Sequence, residues 1–243
     1  MKTFVMIPTY NEKANIGRLI PAILKKTPGV KILVVDDNSP DGTAGQVLRL
    51  KKKYPRKVFL LRRTAGRGRG TAGIAGLKYA LDKKADVIVE MDADFSHHPK
   101  YLPLMLKEIR KHDIVLGSRF VKNGEDRRGL SRHLITVLGN LYIRSVLKLS
   151  IKDCTSGYRA FKKKALKAIN LDSLISSGPS IVQEILYKAD LLGFDIKEIP
   201  IVFIDRRQGK SKFNFKIMLQ GILMVLVLRL FFTNIWKESS SKK

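Results

Sequence analysis

Short apolar runs alternate with longer stretches of helical spacing through the first half of the chain. Phe4–Ile7, Lys31–Val35, Val58–Leu61, Val87–Met91 and Ile114–Gly117 are rich in branched and apolar residues and short enough for buried strands. Between them, Glu12–Lys26, Thr43–Lys53, Thr71–Leu81 and Pro99–Lys111 repeat their apolar residues near the helical period. Strand and helix in alternation predict an α/β fold: a mostly parallel central sheet flanked by helices. In such a sheet, ligands bind beyond the carboxyl ends of the strands. No internal repeat and no low-complexity linker interrupts the pattern.

The C-terminal pattern is different. Ile217–Phe232 is apolar apart from Gln220 and Arg229. As a helix it would span about 24 Å, short of the roughly 30 Å hydrocarbon layer of a bilayer. Gln220 and Arg229 are nine residues apart, which puts them on opposite sides of a helix, so no single polar face forms. The segment predicts a helix that lies on a membrane or docks on a membrane partner, with an ordinary packed helix as the alternative. The expected organisation is a catalytic domain over 1–212, an apolar helix over 213–236 and a polar tail over 237–243.

Composition narrows the class. The 243 residues carry 47 Lys+Arg against 21 Asp+Glu, a formal net charge of +26, and 44 % are hydrophobic. So much apolar content excludes intrinsic disorder. The single cysteine, Cys154, excludes an internal disulfide framework and a cysteine-based zinc site. The start MKTFVMIPTYNE shows no apolar signal region, so an intracellular protein is expected. Basic residues cluster at Lys51–Arg69, at Arg127, Arg128 and Arg132, at Lys162–Lys167 and at Arg206–Lys212. Such a field attracts phosphate groups or an anionic membrane surface. A basic binding protein without catalysis is the competing class, but no nucleic-acid recognition motif accompanies the charge, and no nucleic-acid partner is expected.

Two motifs mislead. Gly68-Arg-Gly70-Thr-Ala-Gly73 fits G-x-G-x-x-G but does not lie in the first strand–helix turn, where a dinucleotide fingerprint belongs. Gly209-Lys210-Ser211 lacks the glycine a phosphate-binding loop needs at position 204, which is Ile204. The acids carry more information. Asp36, Asp37 and Asp41 follow the second apolar run, in a loop of turn formers where a carboxylate can bind a base or ribose or cap a helix. Asp92-Ala93-Asp94 ends the fourth run. Carboxylates at alternate positions of extended chain point to one side and provide oxygen ligands for Mg²⁺ or Mn²⁺, with substrate phosphates completing the shell. Asp205–Lys212 follows the run Ile199–Ile204, and there Arg206 and Lys212 can meet across a turn to hold phosphate.

In this order, the residues resemble glycosyltransferase family 2, and within it the dolichyl-phosphate (polyprenyl-phosphate) mannosyltransferases. The resemblance spans nearly the whole chain. It is carried by Ile-Pro-Thr-Tyr-Asn-Glu (7–12), Val-Val-Asp-Asp-Asn-Ser-Pro-Asp-Gly-Thr (34–43), Met-Asp-Ala-Asp-Phe-Ser-His-His-Pro (91–99), Gly-Ser-Arg (117–119), Ser-Gly-Tyr-Arg (156–159) and the Arg206/Lys212 pair. It implies a GT-A fold and inverting transfer of mannose from GDP-mannose to dolichyl or another polyprenyl phosphate, with UDP-glucose as the alternative donor. Pro8, Tyr10, Glu12, Val35 and Asp37 would line the guanosine site. Asp92, Ala93 and Asp94 would hold metal and diphosphate, with Ser96, where many relatives carry Gln, as a third metal-side candidate. Arg119, Arg132, Thr136, Arg206 and Lys212 would surround the acceptor phosphate and sugar, so Asp94, Arg119 and Arg206 are the expected catalytic residues.

The acceptor's phosphate oxygen is already an anion, so the implied reaction needs no strong general base, and His97, His98 and His133 are expected to pack or hydrogen-bond. Gly124–Arg132 is the expected mobile loop. Longer relatives continue into transmembrane helices. This chain resembles the short form, expected at the cytoplasmic face of the plasma or endoplasmic reticulum membrane and held there by its terminal segment or a partner subunit.

Overall fold

The computed structural model describes residues 1–66, 68–176, 178–204 and 215–240. Strand and helix alternate as β1 (Thr3–Thr9), α1 (Lys13–Lys26), β2 (Lys31–Asp36), α2 (Thr43–Lys53), β3 (Val58–Arg62), α3 (Arg69–Asp82) and β4 (Val87–Glu90). A 3₁₀ turn at Pro99–Tyr101, α4 (Leu102–Glu108) and β5 (Ile114–Ser118) follow. All five expected strands are present. The continuous helix expected over Pro99–Lys111 is divided, because Pro99 and Pro103 each sit at a helix start and supply no N–H to a preceding turn.

The second half adds β6 (Glu125–Asp126), α5 (Leu130–Leu147), β7 (Arg159–Lys162), α6 (Lys163–Ile169), α7 (Ile181–Leu191), β8 (Ile196–Pro200), β9 (Val202–Phe203) and α8 (Phe215–Ser240). The main sheet has seven strands in the order β3-β2-β1-β4-β7-β5-β8. Only β7 runs against its neighbours, inserted between β4 and β5 with Arg159 opposite Glu90. A short parallel pair, β6 with β9, forms a second sheet.

Successive strand residues feed opposite faces, and both faces are apolar. Phe4, Met6, Leu33, Val35, Ile88 and Leu116 pack toward α3 and the helices of the second half. Val5, Ile7, Ile32, Val34, Val89 and Val115 pack toward α1, α2 and α4. This two-sided burial is why the strands read as unbroken apolar runs. At Gly76 helix α3 approaches the sheet so closely that an added Cβ would lie 2.6 Å from Met6 Cγ and 2.8 Å from a Val35 methyl. Gly76→Ala is therefore expected to destabilise the fold by about 1–3 kcal/mol, read as a lower urea midpoint at unchanged slope.

Helix α8 is docked rather than free. Val225 and Leu228 are buried in the core. Tyr142 of α5 donates its hydroxyl to the Ile222 carbonyl (2.9 Å), and Arg229 donates to the Tyr187 hydroxyl of α7 (3.1 Å). Arg229 thus faces the protein, while Gln220 on the opposite side is exposed. The outer face is apolar: Leu219, Leu223, Leu226 and Leu230 are exposed there, and α5 adds Leu134, Leu138, Leu141 and Leu130, the last 82 % exposed. The helix continues past Trp236 to Ser240, into the segment expected as tail. Among the described residues no helix is long and apolar enough to cross a membrane.

Candidate active site

Strands β1 to β5 share one direction, so the loops after their last residues gather at one sheet edge. Those loops are tightly folded. Asn11 (φ 62°), Asn38 (φ 56°) and Phe95 (φ 65°) hold left-handed conformations beyond β1, β2 and β4. Asparagine tolerates this region; for a bulky residue such as Phe95 it is uncommon, and such outliers gather at functional sites.

Beyond β2 the acids are largely engaged with the protein. Asp36 is buried and accepts from Thr9 Oγ1 (3.2 Å), Ser39 Oγ (2.5 Å) and Ser39 N–H (3.0 Å). Asp41 accepts from the N–H groups of Thr43 (2.9 Å) and Lys13 (3.0 Å), an Asx turn into α2 that also ties down the first residue of α1. Burial works against its charge, but the Thr43 and Lys13 bonds prevail and hold its pKa below the usual carboxylate value. Asp37 accepts from Arg63 (2.6 Å) and the Gly68 N–H (2.8 Å), tying the β2 loop to the start of α3.

The residues expected around guanosine do not all present side chains. Val35 is buried in the core, pointing at Gly76, and offers the sheet edge only its backbone. Pro8 is its ladder partner. Tyr10 is half-buried in the loop after β1. Glu12 accepts from Asn15 Nδ2 (2.8 Å) and borders a cavity of about 700 Å³ at the start of α1, together with Lys13, Arg18 and Asp41.

A larger cavity, about 810 Å³, holds most of the remaining candidates: Asp92, Asp94, Ser96, Arg119, Arg132 and Thr136 all line it. Asp92 and Asp94 meet it from the end of β4, with the buried Ala93 between them. Asp94 accepts the Ser96 hydroxyl (2.6 Å) and N–H (3.1 Å), so Ser96 orients Asp94. Among the described residues no cluster of three His, Cys, Asp or Glu side chains could hold a metal. Two carboxylates with a nearby hydroxyl suit a hard, oxygen-seeking cation of the Mg²⁺ or Mn²⁺ type whose remaining positions are filled by phosphate and water.

The histidines support this loop. Buried His97 accepts the Asp92 N–H at Nδ1 (2.9 Å), stacks on Tyr158 (5.0 Å) and meets the Phe203 edge (5.6 Å). Burial depresses its pKa, against the pull of Asp92, and favours the neutral ring. His98 accepts from the Lys100 N–H (3.0 Å). His133 packs beside Phe120 (6.2 Å).

Arg119 enters from the end of β5 and is held by Asp153, a residue no motif had singled out. The guanidinium makes two bonds to that carboxylate (2.8 and 2.6 Å), while the Arg119 N–H makes a third (3.0 Å). Both side chains are shielded, 6 % and 0 % exposed. Asp153 and Lys152 in turn donate backbone N–H groups to Glu198 of β8. Arg128 lines the same cavity, bonded to Asp126 (2.7 and 2.5 Å) and to Thr136 (2.7 Å). Burial works against the Asp126 charge, but Arg128 outweighs it and holds the carboxyl below its usual pKa. The Phe203 ring lies between Arg119 (5.3 Å) and Arg128 (5.1 Å), fixing both cations beside it. Arg206 and Lys212 lie outside the described residues.

An apolar part of the same wall is formed by Ile135, Leu138 and Ile143 of α5 and by Met218, Ile222 and Val225 of α8. One cavity therefore combines a carboxylate pair, a cluster of guanidiniums and an apolar wall on the helices that carry the exposed leucines of α5 and α8.

Comparison with known proteins gives the family and the fold. Residues 4–169 match glycosyl transferase family 2. An undecaprenyl-phosphate mannosyltransferase of Micrococcus luteus is 38 % identical over 226 residues, covering 93 % of each chain. A polyprenol monophosphomannose synthase of Mycolicibacterium smegmatis is 38 % identical over 215 residues, 88 % of this chain and 81 % of the other. Among solved structures, glucosyl-3-phosphoglycerate synthase from Mycobacterium tuberculosis, bound to Mn²⁺ and UDP, superposes with a TM-score of 0.67 at 19 % identity over 94 % of this chain and 78 % of its own. A Pyrobaculum calidifontis mannosyltransferase, solved with GDP-Man and Mn²⁺, gives 0.55 at 16 % identity over 94 % and 73 %. The fold is the expected GT-A architecture. The chain belongs to glycosyl transferase family 2 and is a glycosyltransferase.

Proposed function

We propose that the protein transfers mannose from GDP-mannose to a polyprenyl phosphate such as dolichyl phosphate, with inversion, assisted by Mg²⁺ or Mn²⁺. One observation carries the reading: a single cavity is lined by a carboxylate pair, a guanidinium cluster and apolar side chains of two helices. An amphiphile with a phosphate head and a hydrocarbon tail combines chemistries that match the last two. The names of the two relatives point to the same acceptor class, and the GDP-Man complex of the same fold supports the donor.

Asp92 and Asp94 would hold the cation, with Ser96 and His97 keeping the loop in place. When bound, the metal neutralises charge developing on the departing diphosphate. Arg119, fixed by Asp153, and Arg132 would bring the acceptor phosphate to the anomeric carbon, with Arg206 and Lys212 completing its surroundings. Thr136 accepts from Arg128 and so presents that guanidinium to the same phosphate. The phosphate oxygen attacks as an anion, so rate comes from positioning and charge stabilisation. A single in-line displacement inverts the anomeric centre. Pro8, Tyr10, Glu12 and Asp37 would border guanosine, with the Val35 and Ala93 backbones as floor. The exposed leucines of α5 and α8 would lie in the interface of the cytoplasmic leaflet, whose negative potential attracts the surrounding basic residues.

Donor choice is tested by binding. At saturating Mn²⁺, GDP is expected to bind at least about tenfold more tightly than UDP, a difference of roughly 1.4 kcal/mol, measured by titration calorimetry. Tighter binding of UDP would replace GDP-mannose by a donor such as UDP-glucose.

A further inference from the structure

Arg69, the first residue of α3, has no place in the assignments above. It lies in the glycine-rich stretch that failed as a dinucleotide motif, yet it lines the large cavity. Its guanidinium makes two bonds to one Asp92 oxygen, Nε at 3.1 Å and Nη2 at 2.6 Å, and both partners are about one-third open, 36 % and 30 % exposed. Glu90 and Asp94 add to the negative field around it, although Glu90 is itself paired with Arg159. Room for the guanidinium is made opposite: a Cβ at Gly157 would lie 2.5 Å from Arg69 Nη2. Gly157 is outside the left-handed glycines, so this close approach is what its missing side chain serves.

We infer that Arg69 is an exchangeable counter-cation: it occupies Asp92 before the donor arrives, then yields that carboxylate to the metal and moves onto the nucleotide diphosphate. The inference rests on the reading of Asp92 and Asp94 as the metal and diphosphate site. Arg69 and Arg159, paired with Asp92 and Glu90, offset most of the negative charge of Glu90, Asp92 and Asp94 at the end of β4. A divalent cation brought to Asp92 repels the guanidinium beside it. The diphosphate that accompanies the cation offers the nearest new anion, and a guanidinium fork matches paired phosphate oxygens. Arg69 would therefore oppose binding of metal alone and favour binding of metal with nucleotide.

The two effects have opposite signs, which a merely structural residue would not produce. For Arg69→Gln, Mn²⁺ alone, followed by electron paramagnetic resonance of the free ion, is expected to bind about three- to tenfold more tightly. GDP at saturating Mn²⁺, followed by calorimetry, is expected to bind about tenfold more weakly. Gly157→Ala clashes with the guanidinium tip while meeting His97 at an ordinary contact distance of 3.4 Å, and is expected to tighten Mn²⁺ binding in the same direction, which keeps the metal arm readable should Arg69→Gln fail to fold. Unchanged Mn²⁺ affinity in both variants, or parallel losses of Mn²⁺ and GDP in Arg69→Gln, would overturn the exchange. Failure of the wild-type protein to bind GDP with Mn²⁺ would overturn the metal–diphosphate reading and the exchange with it.

Discussion

Asp94→Asn is expected to lower sugar transfer by about a hundredfold to a thousandfold, comparable with removal of one preorganised charge-stabilising group. The substitution keeps the side-chain shape, and an amide oxygen can still accept the Ser96 hydroxyl and N–H that position Asp94. What it removes is one of two negative charges at the end of β4, and hard cations depend on that charge. The fold should be untouched, with a melting temperature within about 2 °C of wild type, because the side chain opens into the cavity rather than the core. Initial rates at several Mn²⁺ concentrations separate the outcomes. Weak metal binding predicts partial recovery at high Mn²⁺, whereas full activity at ordinary Mn²⁺ would remove Asp94 from the site.

The largest effect on stability is expected at Asp153. Removing that carboxylate in Asp153→Ala leaves the Arg119 guanidinium shielded from water without its anion. Breaking one side of such a buried pair costs about 3–5 kcal/mol, which for a chain of this length lowers the melting temperature by roughly 10 °C. Transfer should fall as well, since Arg119 loses the bonds that aim it. Replacing both partners, as in Arg119→Met with Asp153→Leu, should recover much of the stability and none of the activity. A loss under about 1 kcal/mol in Asp153→Ala, from urea titration, would mean that Arg119 is satisfied without Asp153.

The sequence made the first five strands legible because each is apolar on both faces, short and rich in branched residues, which together favour a buried strand over a buried helix. Strand β7 was not legible. It has four residues, begins and ends with a cation, and earns its place through pairing: Arg159 opposite Glu90 and Ala160 opposite Val89. The same limit applies to the site. Asp92, Asp94 and Arg119 stand directly after strands and inside recognisable motifs, and the cavity brings them together. Asp153 has no such signal in Lys152-Asp-Cys-Thr, because its partner is 34 residues away in sequence. Phe203 likewise reads as one residue of an apolar run, and only the fold puts it between two arginines and against His97. Val35 sits at the strand end, but its side chain points into the core and leaves only its backbone at the sheet edge.

Helix α8 shows what periodicity alone could not resolve. Spacing placed Gln220 and Arg229 on opposite sides of the helix, so no single polar face could be read. In the fold, Arg229 points inward and bonds to Tyr187, so the outward face is almost wholly apolar. An apolar outer surface on the helices that wall the cavity of Arg119 and Arg132 is the arrangement expected where a lipid phosphate enters from a bilayer.

The most direct measurement follows the sugar itself. Purified protein is incubated with GDP-mannose labelled in mannose, a polyprenyl phosphate and Mn²⁺, and the label is partitioned between water and organic solvent. The account predicts label in the organic phase as a mannosyl phospholipid, dependent on the acceptor phosphate and abolished by chelator. Label that stays in water with every polyprenyl phosphate, or reaches the lipid only from a different nucleotide sugar, would contradict it.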